Sequence, residues 1–215
     1  MGGSTVESTL STRAGAADLR LIETLAWEGT AFTPRLPLHL QRLQRSAEKL
    51  GWHCDLDRAQ TALQEAAAPS QPARLRLTLD RAGLFEVQSA ALPATADHWR
   101  VGLSPLRLAS TDAWLSIKSS HRPTYDAARA ALPAGLDEVI LRNERDEVCD
   151  GSITNVFFDR GQGLRTPPVA CGLLPGVLRA ALALPEEVLQ AADLPKVQLW
   201  VGNSLRGLIR ARFQP

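Results

Sequence analysis

With 215 residues, 45% of them hydrophobic and 22% charged, the chain is long enough to bury a core in one or two domains. Its formal net charge of +1 provides no field that would draw nucleic acid or an anionic membrane surface. No apolar run is long enough to span a bilayer. Cys54, Cys149 and Cys171 form no C-x-x-C, so neither a disulfide framework nor a zinc site follows, and three reduced thiols suit a cytoplasmic protein.

Residues 1–18 are small and polar, lack the apolar stretch of a secretory signal, and read as a flexible leader. Leu19 to Trp27 alternates as a strand does, and Glu28-Gly29-Thr30 marks a turn. Pro37 stands where a helix begins, and Leu36, Leu40, Leu43, Ala47 and Leu50 then form one apolar stripe that Gly51 ends. Residues 55–68 predict a second helix, and ARLRLTLD and LFEVQSAAL predict two strands around Arg81-Ala82-Gly83. His98 to Leu106 is a further strand. Residues 19–107 are thus expected to form a small α+β domain, with residues 108–120 as a linker. Beyond it, Thr124 to Leu132 predicts a helix, and Glu138–Arg142, Ile153–Asp159 and Val197–Gly202 predict strands. A short helix over Gly176–Ala183 opens behind Leu174-Pro175. Residues 121–215 are expected to form a larger α/β domain.

Five polar groupings stand out, each with a plainer reading when taken singly. Lys118 follows an apolar stretch; it could be a solvated strand end, or an amine kept partly desolvated so that it reacts with a carbonyl. Asp150, in Val148-Cys149-Asp150-Gly151-Ser152, could support a turn or sit against a cofactor ring nitrogen. Pro175-Gly176 opens a helix whose first N–H groups, including those of Val177 and Leu178, suit a phosphate. His39, Arg42 and Ser46 line one edge of the leucine stripe, either as a solvated face or with the arginine turned inward. Gly202-Asn203-Ser204 is a strand-end turn that could also present a hydroxyl to an anion. G-x-G-x-x-G opening a helix, the P-loop, G-x-S-x-G, a histidine metal cluster and a nucleic-acid platform do not occur.

In order, ETLAWEG…LHLQRLQRSAEKLGW, K-x-x-x-R-x-x-YDAARA, DEVILRNERDEVCDGSITNVFF, TPPVACGLLPGVLRAAL and LWVGNSLRG resemble aminotransferase class IV, the fold-type IV pyridoxal 5'-phosphate enzymes. The likeness leans to the aminodeoxychorismate lyases and covers about residues 19–212. It implies a two-domain, D-amino-acid aminotransferase-like fold with the cofactor between the domains, a homodimer, and a small-molecule amine as substrate. It also implies that Lys118 carries the cofactor, Asp150 faces the pyridine nitrogen, and Arg42, the Val177 and Leu178 amides and Ser204 hold the phosphate. The sequence departs from the pattern twice: Asp150 replaces a glutamate, and Pro123 stands where many members have a tyrosine five residues after the lysine. The missing tyrosine favours a lyase over a branched-chain or D-amino-acid aminotransferase; a non-catalytic relative of the fold is the third reading.

Overall fold

The computed structural model describes Leu10, Ala16, residues 18–94 and residues 96–215. Most of the expected leader therefore lies outside the described residues. The chain divides into two compact units, one formed by residues up to Ala94 together with Ile117–His121, the other by Thr95–Ser116 and Arg122–Pro215. The expected boundary at 107/108 thus shifts. The strand His98–Leu108 belongs to the second unit because it pairs on both sides with strands of that unit, and the lysine segment returns to the first.

In the first unit, β1 (Leu21–Trp27), β2 (Ala73–Leu79) and β3 (Phe85–Ala91) form an antiparallel sheet in that order. The register sets Leu21 opposite Leu79, Glu23 opposite Leu77 and Leu25 opposite Leu75, so one face presents leucines with a single carboxylate among them. Those leucines are fully buried, each contributing roughly 1.5–3 kcal/mol. Two helices complete the unit. Helix α1 (Leu36–Leu50) has proline in its first turn and buries Leu40, Leu43 and Ala47 of the stripe. It ends where Gly51, at φ 65°, turns its N–H back to the carbonyls of Ala47 and Glu48. Helix α2 (Leu56–Ala66) starts at Asp55, whose side chain accepts from the amides of Asp57 and Arg58.

The second unit is built on a closed barrel in the order β4 (His98–Leu108), β5 (Glu138–Asn143), β6 (Val148–Gly151), β7 (Asn155–Asp159), β8 (Gln198–Asn203) and β9 (Gly207–Phe213). β4 lies parallel to both β5 and β9, and the other neighbours are antiparallel. Val101, Ile140, Val148, Val156, Phe158, Leu199, Val201 and Ile209 pack into one core cluster. Alternate residues Val139, Leu141 and Cys149 face a second cluster with Leu108, Tyr125, Ala128 and Leu173, so β5 is buried on both faces. Helix α3 (Pro123–Ala130) contributes Tyr125 and Ala128 to that second cluster, and the short α4 (Val177–Leu182) packs by β8. The expected mixed α/β layer is therefore a barrel. Its closure depends on β6 and β9, which the reading of the sequence lacked. Among the described residues no helix is long and apolar enough to cross a membrane.

Candidate active site

The turn between β6 and β7 is held from within. Glu138, at the start of β5 and fully buried, accepts from the Ser152 amide (3.0 Å), the Ser152 hydroxyl (2.5 Å), the Ile153 amide (3.1 Å) and the Thr154 hydroxyl (3.1 Å). Gly151 has to be glycine, since a Cβ there would lie 2.3 Å from Thr154 Oγ1 and 2.9 Å from the Glu138 carboxylate. This packing fixes Asp150 on one side of the turn and Asn155 on the other.

Asn155 joins the acid to the helix start. Its two amide hydrogens go to Asp150 Oδ1 (2.7 Å) and the Leu174 carbonyl (2.8 Å). Its Oδ1 lies where a Cβ on Gly176 would stand, at 1.8 Å, so only glycine fits at the N-cap of α4. Val177 and Leu178 form the first turn beyond it, and the first helical bond is made by the Ala180 amide to the Gly176 carbonyl. The amides of Val177 and Leu178 thus precede the helical ladder, where N–H groups point outward along the axis. Gly202 on β8 leaves room for Leu178, whose Cδ2 would be 2.8 Å from an added Cβ. Ser204 follows on the β8–β9 turn, which Asn203 Nδ2 ties to the Ile153 carbonyl at 3.1 Å. The structure therefore brings the surroundings of Asp150, Val177, Leu178 and Ser204 together in one unit.

Asp150 is 2% exposed. Its Oδ2 accepts from the Leu174 amide (2.8 Å) and the Tyr125 hydroxyl (3.2 Å). Burial pushes its carboxyl up to about 7, against the pull of those donors, of Asn155 and of Arg179. Three bonds occupy three of roughly four lone-pair positions. One remains for a further cationic N–H.

In the first unit, Lys118 is half-buried in a short extended stretch; its carbonyl accepts from the Ile22 amide at 2.9 Å, and Ser119 bridges to Leu21. The Ser119 hydroxyl accepts from the His121 amide at 3.2 Å, which fixes the turn after the lysine. Glu23 lies on the same strand β1. Arg42 reaches it by Nε to Oε1 at 2.8 Å and Nη2 to Oε2 at 2.6 Å, and His39 Nδ1 is 2.6 Å from Oε2. Burial alone would raise the Glu23 carboxyl, but the Arg42 charge and the hydrogen bonds of Arg42 and His39 outweigh it and hold it at about 2. These contacts use two of the five guanidinium donors of Arg42 and leave three for an anion.

The solvated-face reading of His39, Arg42 and Ser46 does not hold: all three are buried. Glu23, Glu138 and Asn155 have no role assigned from sequence, and Tyr125, which with Arg122 is a candidate neighbour of the cofactor in place of the missing tyrosine, meets Asp150 Oδ2. The alternation of β1 places Glu23 on the leucine face, and a charge at such a position was the available signal. Glu138 opens the apolar run VIL in the same way. Asn155 lies only five residues beyond Asp150, so its bond to the acid is local, whereas its bond to the Leu174 carbonyl and that of Tyr125 to Asp150 join segments distant in sequence.

Pyridoxal phosphate needs an amine, an acid for its ring nitrogen and donors for its phosphate. Within the second unit, the Asp150 carboxylate with one free acceptor position and a helix start that only glycine can open fit the needs of the ring nitrogen and the phosphate. Burial keeps Cys54 protonated, its thiol pushed up to about 11, and Cys149 and Cys171 are likewise raised, so the thiols offer no competing nucleophile.

The family model for amino-transferase class IV matches residues 20–212. A Schizosaccharomyces pombe protein provisionally named aminodeoxychorismate lyase is 30% identical over 75% of this chain and 72% of its own length. The crystal structure of a provisionally named amino-acid aminotransferase from Mesorhizobium loti is 42% identical with a TM-score of 0.87, covering 92% of this chain and 100% of that one. A hypothetical aminotransferase from Mycobacterium tuberculosis, solved in its α-ketoglutarate- and PMP-bound form, is 26% identical with a TM-score of 0.76 over 90% of this chain and 80% of that one. The fold is that of the fold-type IV enzymes, and the cofactor is pyridoxal 5'-phosphate. The chain belongs to amino-transferase class IV.

Proposed function

We propose that this protein is a lyase that converts 4-amino-4-deoxychorismate into 4-aminobenzoate and pyruvate. The likeness to the S. pombe relative carries this reading. Local structure agrees with it: Pro123, five residues after Lys118, lies exposed in the first turn of α3 and offers neither hydroxyl nor N–H.

In this proposal Lys118 would hold the cofactor, and its amine would take the proton from the substrate carbon that bears the nitrogen. Bound pyridoxal phosphate supplies the electron sink for the charge left behind. Asp150 would hold negative charge for the ring nitrogen. Arg42, the Val177 and Leu178 amides and the Ser204 hydroxyl would hold the phosphate. The C–O bond to the enolpyruvyl group then breaks, the ring becomes aromatic, and Lys118 returns its proton to the departing enol carbon, which gives pyruvate. All atoms of the substrate appear in the two products, so no second substrate is required.

Class IV aminotransferase activity is the second reading, favoured by the 42% identity to the M. loti protein. One assay separates the two. With 4-amino-4-deoxychorismate alone, a lyase produces fluorescent 4-aminobenzoate without any keto acid. Product only when an amino acid and 2-oxoglutarate are both supplied, with none from 4-amino-4-deoxychorismate, would replace the lyase with the transaminase.

A further inference from the structure

We propose that Tyr125 is a positioning residue for the ring acid: its hydroxyl proton, donated to Asp150 Oδ2, governs how far Asp150 presents a negative charge to the cofactor's ring nitrogen. This rests on the assignment of Asp150 above.

Tyr125 sits in the first turn of α3, in the cluster that contains Cys149, and its hydroxyl reaches Asp150 Oδ2 at 3.2 Å in a setting where both residues are buried. Arg122 anchors it from the start of the same helix. The guanidinium lies 5.2 Å from the centre of the Tyr125 ring and donates to the Ser152 carbonyl at 2.5 Å, tying α3 to the turn after Asp150. Asp150 is one methylene shorter than the glutamate expected at its position, so its carboxylate sits closer to its own backbone and within reach of this ring.

Of the three donors on Asp150, the Leu174 amide is fixed by the fold, and Asn155 also braces Leu174 and packs on Gly176. The Tyr125 hydroxyl has no such second duty. Its own ionisation is opposed by burial and by the Asp150 charge, so it stays a donor at every working pH. A donor to a buried carboxylate favours the charged form, which is the form that pairs with a protonated ring nitrogen. The other ionisable groups acting on this pair are Cys149 on β6, Arg122 on α3 and Arg179 on α4.

Tyr125 is the chain's single tyrosine, so feeding a fluorinated tyrosine labels this position alone. The full chain, with and without pyridoxal phosphate, is titrated while the Asp150 carboxyl is followed by carbon-13 NMR, its signal identified by its loss in Asp150→Asn. Tyr125→Phe is expected to raise the Asp150 midpoint by about one pH unit and to weaken pyridoxal phosphate binding about tenfold. 3-Fluorotyrosine, a stronger donor, is expected to lower the midpoint, and this arm stands even where Tyr125→Phe does not fold. A midpoint unmoved by fluorination, or by both changes, overturns the proposal. Unchanged cofactor affinity in Asp150→Asn removes the ring-acid assignment itself. Weakened affinity there, with an unmoved midpoint in the tyrosine variants, overturns the role of Tyr125 alone.

Discussion

Arg42 and Glu23 form a two-point ion pair inside the leucine-lined face of the first unit, with both side chains under 10% exposed. Removing one member of such a pair strands the other charge, which costs about 3–5 kcal/mol. Glu23→Gln is therefore expected to lower unfolding stability by about that amount, measured by urea titration at neutral pH. A loss below about 1 kcal/mol would mean that the pair is dispensable.

The same pair has a pH signature. The folded Glu23 carboxyl is held at about 2 against an ordinary value of 4.5. A depressed folded value gives stability that is complete above about 4.5 and is lost as pH falls through about 2. Between pH 5 and 2 the native protein should lose more stability than Glu23→Gln does, as read from urea midpoints at each pH. Parallel curves would contradict the pairing.

Asp150 acts in the opposite direction. Its folded carboxyl stands at about 7, above the ordinary 3.8, so its contribution is complete below about 3.8 and is lost as pH rises through about 7. In the cofactor-free protein, Asp150→Asn should flatten the decline in stability between pH 4 and 7. An unchanged slope would place the titrating group elsewhere.

Gly176 tests the link between acid and helix start. A methyl group there would drive into Asn155 Oδ1, and the side chain would have to give up its bonds to Asp150 and the Leu174 carbonyl. Gly176→Ala should cost about 1–3 kcal/mol of stability and weaken pyridoxal phosphate binding, followed by absorbance titration. Native affinity in this variant would show that the brace does not matter.

These residues also mark what the sequence could and could not reveal. Helix α1 was legible because its stripe, its proline and Gly51 all carry local physics, and β2 because Ala73, Leu75, Leu77 and Leu79 alternate without interruption. Asp150, Val177 and Leu178 were legible as chemistry only because their motifs occur in order. That Asn155, five residues beyond Asp150, also reaches Leu174 and Gly176 is a contact between distant segments, which no local pattern records. β9 was not assigned from sequence, although Ile209, Ala211 and Phe213 alternate with Arg210 and Arg212 as in a strand with one wet face. Closure of the barrel rests on the pairing of His98 with Arg210 across the whole of the second unit, a non-local choice.

The site assignment turns on one amine. Purified protein loaded with pyridoxal phosphate, reduced with borohydride and digested, should carry the cofactor label on the peptide containing Lys118, and Lys118→Ala should lose both the yellow colour and the label. Label on any other lysine, or a variant that keeps it, would contradict the assignment of Lys118.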